Sequence, residues 1–364
     1  MEPRMDMRVS YFPGKCLQGN GIIKDLPTYI DLFGGDAFLV VTPSMEKLVR
    51  SLGLADKHKM VVFRGPCCWQ EIDKLIAEAK KGSHTVVVAV GGGKVVDSAK
   101  VVADKLNLRC IMVPSVAASS AAFSGCSVMY TPENIEEGVY YEKHSPDVLM
   151  LDNEVIIGAK TRYFVAGMGD ALAVYFEGRG CTRTGSQNSL HANQTFCALA
   201  MCEYCYDALL RYGLAAKQAY EKHVVTPALE RMIEVNLLSA GIAFEGAGLA
   251  AAHAIHNGLT LIPVIREEML HGEIVAFGVL SELHLTNAEP EEMDEVYSFC
   301  ERVGLPTTFA DLKIGDVDEK TLMEVAEFTN ADPYLHHDGP NITAKDIMAA
   351  MVAADAMGQA RKQK

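Results

Sequence analysis

The stretch GLAAAHAIHNGLTLIPVIREEMLHGEIVAFG, residues 248–278, carries three of the chain's eleven histidines, at 253, 256 and 271. Imidazole moves protons near neutral pH and is the commonest side-chain ligand of divalent metals. His253 and His256 are i, i+3 neighbours, so on a helix they share one face. His271 follows a break containing Pro263, at the start of a further helix. Among so many Ala, Leu and Ile, each histidine has two readings: a hydrogen-bonded core residue, or part of a metal site. A metal needs another ligand, and a carboxylate suits a divalent cation. Asp170 in VAGMGDALAVYFEGRG is the candidate, set beside glycines at the entry to an apolar helix. A carboxylate buried there requires a partner, which a metal or a histidine supplies. Glu177 follows on the same face; it either supports that site or pairs with Arg179 or Arg183.

A second constellation is TVVVAVGGGKVVDSAK, residues 85–100: a strand, three glycines, then a helix. Glycines let the backbone approach a ligand that a Cβ would block. The helix start offers N–H groups and a positive dipole end, both suited to pyrophosphate. The spacing is neither GxGxxG nor the P-loop GxxxxGK[ST]. An ordinary β–α turn is the plain alternative, and the cost of three consecutive glycines favours phosphate binding. Asp97 falls in the first helical turn, where it either caps the helix or bonds a ligand.

The elements that position these residues differ along the chain. Before residue 160, apolar runs at 37–42, 60–63, 85–90, 110–114 and 147–151 alternate with amphipathic stretches. Unbroken Val, Ile and Leu runs suit strands buried on both faces, so this part is expected to be a doubly wound α/β layer. CSVMYTPENIEEGVYYEK, residues 126–143, is expected to form a hairpin around its Pro-Glu-Asn turn. After 160 the strand pattern stops, and helical patterns are expected at 162–180, 187–212, 227–258, 271–286, 290–303, 319–329 and 344–362. The expected organisation is therefore an α/β dinucleotide-binding domain, 1–160, and an all-α domain, 161–364, with a ligand cleft between them.

Composition narrows the function. The formal net charge is -14, which argues against nucleic-acid binding. The start MEPRMDMRVSYF lacks the apolar run of a signal peptide, and no stretch approaches the ~20 apolar residues of a membrane span. Ten scattered cysteines suggest a reducing, cytoplasmic setting. Cys202 and Cys205 form a CxxC with no partner pair, so packing is the favoured role.

Taken together, FPG at 12–14, GGGKVVDSAK at 91–100, SVMYTP at 127–132, AGMGDALA at 166–173, VVTPALERMIEVN at 224–236, GLAAAHAIHNGLT at 248–260 and HGEIVAFG at 271–278 carry a resemblance. The chain resembles the glycerol dehydrogenases of the iron-containing (group III) alcohol dehydrogenase superfamily, over essentially its whole length. The resemblance implies the dehydroquinate synthase-like fold, an α/β dinucleotide-binding domain followed by a helical one. It implies a metal, zinc with ferrous iron as the alternative, on Asp170, His253 and His271. His256 would then face the nicotinamide as a proton relay. NAD or NADP would lie on Gly93, Lys94, Val95, Val96 and Asp97, on Ser115, and along the segment Ser119 to Tyr130, with Ser124, Cys126 and Tyr130 at contact positions. The implied reaction interconverts a small polyol such as glycerol and its ketone. A homo-oligomer acting on a small alcohol or carbonyl, with no nucleic acid or membrane partner, is expected. Two stretches depart from the pattern. Thr42 and Pro43 stand where an acid reads the adenosine ribose, and Ser120 stands where a substrate-side Asp occurs. The second departure brings in a 2-hydroxycarboxylate (2-oxoacid) reductase as the alternative. A dehydroquinate-synthase-like lyase would want a basic pocket, and only Arg266 is basic near 253–271.

Overall fold

The structure, a computed structural model, describes residues 7–133 and 135–363. The chain divides into two compact units: Tyr11–Lys160 with His223–Val225, and Thr161–Lys222 with Thr226–Lys364, to which the segment ending at Ser10 belongs.

The first unit is built on a six-stranded sheet of order β1-β8-β5-β4-β2-β3. Its strands are β1 (Lys15–Gly19), β2 (Ala37–Val41), β3 (Lys59–Val62), β4 (Val86–Gly91), β5 (Arg109–Pro114) and β8 (Val148–Asp152), all paired in parallel. Helices α1 (Leu26–Leu32), α2 (Glu46–Ser51), α3 (Leu54–Lys57), α4 (Trp69–Ala79), α5 (Gly93–Leu106) and α6 (Asn153–Ile157) connect or follow them. Every residue of β2, β4 and β8 is buried, which explains their unbroken apolar runs. β1 is a strand that periodicity misses. It lies at the sheet edge, and its sequence KCLQG is only partly buried, so no apolar run marks it. The chain leaves β2 for β3 on one side and β4 for β5 on the other. Such a reversal opens a crevice at the carboxyl ends of the strands, the usual ligand position in a doubly wound sheet. Thr42 and the three glycines stand at that point. β6 (Cys126–Tyr130) and β7 (Glu136–Tyr141) form the expected antiparallel hairpin, with a bulge at Met129/Tyr130. Asn134 of its turn lies outside the described residues.

The second unit is helical: α7 (Thr161–Thr184), α8 (Phe196–Glu221), α9 (Pro227–Glu234), α10 (Ala240–Ala247), α11 (Ala251–Leu259), α12 (Pro263–Glu268), α13 (His271–Leu285), α14 (Pro290–Val303), α15 (Glu319–Asn330) and α16 (Ala344–Lys362). Two expected helices are corrected. Residues 187–195 are not helical, because the Asn188 side chain takes over the backbone. It accepts from Leu190 N and Ala192 N at 3.0 and 3.1 Å and donates to Val9 O and Gly246 O at 2.9 and 3.2 Å. The run 227–258 is broken at Gly248, whose φ is +102°, so α11 starts afresh. A π-helical stretch, Val235–Ser239, joins α9 to α10.

Cys202 and Cys205 are buried inside α8 and, like the other eight cysteines, free. Among the described residues no single helix is long and apolar enough to cross a membrane.

Candidate metal centre and cofactor turn

The three helices that carry the candidate ligands approach most closely at glycines. A Cβ on Gly272 of α13 would run into Ala166 O of α7, and one on Gly278 into Ala252 O of α11. Only glycine permits that approach, and these are the glycines of the HGEIVAFG motif. The result brings Asp170 on α7, His253 on α11 and His271, the first residue of α13, to one place. One ligand atom from each lies within 4.8 Å of the other two. Asp170 Oδ1 is 3.1 Å from His271 Nε2 and 3.6 Å from His253 Nε2. Asp170 is buried, whereas the His271 side chain is 45% exposed and opens the site to a ligand.

Each imidazole is held from behind. His253 Nδ1 donates to Glu177 Oε2 at 2.6 Å, which leaves Nε2 as the donor atom toward Asp170. The proton on His271 follows from a longer chain. Asn257 Nδ2 donates to the Asp332 carboxylate at 2.8 Å, so Asn257 Oδ1 faces His256 and accepts from its Nδ1 at 2.9 Å. His256 Nε2 then has a lone pair and accepts from His271 Nδ1 at 2.9 Å. His271 Nε2 is thereby left with its lone pair toward Asp170. Both imidazoles thus present an unprotonated Nε2 to the cluster, the form in which a neutral imidazole can take a metal.

His256, expected to face the nicotinamide, is thus bonded on both ring nitrogens and 5% exposed; its geometry is that of a support for His271. Burial, followed by His271, pushes its pKa well down. Asn257 and Asp332 were not anticipated, and nothing in their sequence context distinguishes them. Glu177 takes neither Arg179, which pairs with Glu292, nor Arg183, which pairs with Asp338.

The electrostatics suit a cation. Burial works against charge on both Asp170 and His253, yet the partners outweigh it. With protons in place of a metal on their Nε2 atoms, the two histidines donate to Asp170 and hold it below the usual carboxylate range, and Glu177 with Asp170 lifts His253 to about 10. A pocket that draws a proton so strongly asks for positive charge. Two imidazole nitrogens and one carboxylate oxygen are the donor set of zinc and ferrous sites.

The glycine turn is equally specific. A Cβ on Gly91 would meet Val95 Cβ at 2.9 Å and Thr42 Cβ at 3.1 Å, so this glycine serves strand–helix packing. A Cβ on Gly93 would meet no protein atom within 4 Å. Val95 N and Val96 N return to Gly92 O at 3.0 and 3.1 Å, and the Val95 and Val96 side chains are buried. The amides of Gly93 and Lys94 therefore head the helix, where open space and the positive dipole end fit a phosphate. Lys94 Nζ lies 6.0 Å from the centre of the Tyr130 ring. Ser115 extends β5 through its N–H to Gly91 O at 2.9 Å, beside the turn.

Asp97 points inward, not outward. Its carboxylate is 3.1 Å from the buried Lys100 ammonium. Lys100 Nζ donates to Ser124 O and Oγ at 3.1 and 3.0 Å, and also to Cys126 O. The pair ties α5 to the segment containing Ser119, Ser120, Ser124 and Cys126, and so fixes the turn relative to that segment. Ser120 is largely buried at the head of a short 3-10 turn, Ser120–Ala122, and its carbonyl accepts from Phe123 N at 2.9 Å.

Behind this segment, Glu142 faces Lys100 and Asp97 and accepts from Ser127 Oγ. Burial pushes its pKa from the usual 4.5 to about 7, with Lys100 opposing. A raised carboxyl pKa favours the protonated form in the fold. Its stabilising contribution is complete below 4.5 and is lost as pH rises through about 7. Glu142→Gln should therefore melt higher than the parent at pH 8.5, by about 1–3 kcal/mol of stability, and converge with it at pH 4. Melting curves that run parallel across that range would contradict this.

Comparison with known proteins gives the family. Residues 13–153 match the family described as iron-containing alcohol dehydrogenase. A glycerol dehydrogenase of Thermotoga maritima is 41% identical over 96% of this chain and 98% of its own. One from Escherichia coli is 38% identical over 97% and 98%. The crystal structure of glycerol dehydrogenase from Schizosaccharomyces pombe superposes with a TM-score of 0.92 at 29% identity, over 99% of this chain and 94% of that one. A candidate metal-ligand cluster on helices and a doubly wound glycine turn thus occur in one chain whose relatives match it nearly end to end, and the chain belongs to the iron-containing alcohol dehydrogenase family.

Proposed function

We propose that this protein is a metal- and nicotinamide-dependent dehydrogenase that interconverts glycerol, or a diol of similar size, and the corresponding hydroxyketone. The convergence of Asp170, His253 and His271 within 4.8 Å carries this reading. The full-length relatives named as glycerol dehydrogenases support the choice of substrate.

Zinc is the proposed metal, with ferrous iron as the alternative; when bound, it supplies the charge that makes an alcohol acidic near neutral pH and polarises a carbonyl in reverse. The nicotinamide supplies the carbon that takes or returns hydride. The chain's own residues do the rest. Asp170, His253 and His271 would hold the cation, and Glu177 and His256 hold the two rings in their ligating form. The Gly93 and Lys94 amides would receive the pyrophosphate, with Asp97 and Lys100 bracing the segment from Ser119 to Tyr130 behind it.

At the end of β2, Thr42, Pro43 and Ser44 carry no negative charge. Glu46 is held by Arg50, whose Nε and Nη2 donate to it at 3.0 and 2.9 Å. An acid at this point favours NAD by accepting from the ribose 2′-OH and repelling a 2′-phosphate. NADP is therefore proposed to be accepted alongside NAD.

Ser120 favours a second reading in part, because it removes a charge that would repel an anionic substrate. The test is a panel of polyols and 2-oxoacids with zinc-loaded protein and both nicotinamides, followed by absorbance. Glycerol or a vicinal diol should turn over. Ser120→Asp should raise the ratio of kcat/KM for glycerol to that for a 2-oxoacid by about tenfold, the worth of about one charged hydrogen bond. An unchanged ratio would remove Ser120 from the substrate side. A parent enzyme that turns over 2-oxoacids and no polyol would replace the main reading with the second.

A further inference from the structure

We infer that Glu177 holds His253 in its metal-binding form, by fixing which of its ring nitrogens carries the proton. The inference rests on the metal reading above. Glu177 is fully buried on α7, two helical turns beyond Asp170. Its two oxygens do different work. Oε1 accepts two backbone amides at the start of α11, Ala250 N at 2.8 Å and His253 N at 2.9 Å. Oε2 accepts His253 Nδ1 at 2.6 Å. One side chain therefore fixes the start of the helix, the backbone of His253 and its imidazole. Asp338 and Glu282 accept the remaining amides of that helix start, Ala251 N and Ala252 N, at 3.0 and 3.1 Å.

This division of labour makes glutamine an informative replacement. Glutamine has one carbonyl acceptor and one amide donor. Two backbone N–H groups need the acceptor, and only one ring nitrogen faces the other position. Glutamine should therefore keep its carbonyl on Ala250 N and His253 N and turn its NH2 toward His253 Nδ1. A ring nitrogen that accepts has no proton, so the proton moves to Nε2. Nε2–H then points at Asp170 Oδ1, 3.6 Å away, and can no longer ligate. Glu177→Gln keeps the helix start and turns the metal site into an ordinary Asp–His hydrogen bond. A merely structural glutamate would show no such split, since the backbone bonds survive the change.

The experiment uses the full chain, stripped of metal, and reads zinc affinity by competition with a chromophoric chelator. Glu177→Gln should lose about 10–100-fold in zinc affinity. Its far-UV circular dichroism and metal-free melting should stay close to the parent. Equal zinc affinity in parent and Glu177→Gln would overturn the inference and leave the metal reading intact. A parent that binds no zinc would overturn both. Should Glu177→Gln fail to fold, 15N spectra of the histidines in the zinc-loaded parent decide the matter. They should show His253 protonated at Nδ1 and ligating through Nε2; ligation through Nδ1 would overturn the inference.

Discussion

Asp170→Asn and His271→Ala are each expected to lose stoichiometric metal and at least about 10³-fold in kcat/KM, about 4 kcal/mol of transition-state stabilisation. Both should remain folded. Asp170 Oδ1 faces Nε2 of both His271 and His253, at 3.1 and 3.6 Å, so removing its charge removes the anion that completes the donor set. Asparagine preserves the volume between α7 and α13, where a cavity would confuse the result. His271 is half-exposed at the first position of α13, so truncation there costs little packing. His256→Ala should behave differently. It removes the support of the His271 ring and touches no ligand atom, so metal should be retained and rate reduced. Stoichiometric zinc persisting in His271→Ala would contradict the ligand assignment; metal content by elemental analysis and turnover on the same preparation report it.

Gly93→Val is expected to weaken dinucleotide binding by about 100-fold or more while leaving zinc affinity and melting temperature near those of the parent. A Cβ there meets no protein atom within 4 Å, so the added side chain occupies only the space that a ligand would use. A valine at the first helical position has no positive-φ strain to overcome, since Gly93 is not among the positive-φ glycines. Pyrophosphate approach within hydrogen-bond distance of two amides leaves no room for an isopropyl group, and losing two charge-assisted bonds is worth about 3 kcal/mol. Gly91→Val would be a poor substitute, because its Cβ collides with Val95 and Thr42 and tests packing. Titration with reduced nicotinamide, followed by fluorescence, measures the effect. An unchanged Kd would mean that the pyrophosphate does not lie on this turn.

The sequence was most legible where burial is complete. β2, β4 and β8 announce themselves because both faces are covered, and α13 because everything from Gly272 to Leu283 is buried. β1 was hidden because its sequence KCLQG is only partly buried and carries no such run. Residues 187–195 misled because Asn188 competes with the helix for backbone bonds, an effect that depends on where Val9 and Gly246 lie. The metal candidates were visible through residue type and motif. What holds them was visible only in part. Glu177 shares a helix face with Asp170, which local periodicity reveals. The Asn257–Asp332 bond links α11 to the turn after α15, and no local pattern encodes a pairing so distant along the chain. The first-turn placement of Asp97 erred for a related reason: α5 starts at Gly93 and has no acid in its first turn, and only the fold places Lys100 and the Ser124–Cys126 backbone behind Asp97.

The most direct measurement is glycerol-dependent reduction of NAD and NADP by the metal-stripped protein, before and after one equivalent of zinc or ferrous iron. The account predicts negligible turnover without metal, recovery on addition of either ion or one of them, and no recovery in Asp170→Asn. Full turnover by the stripped protein, or recovery in Asp170→Asn equal to that of the parent, would contradict it.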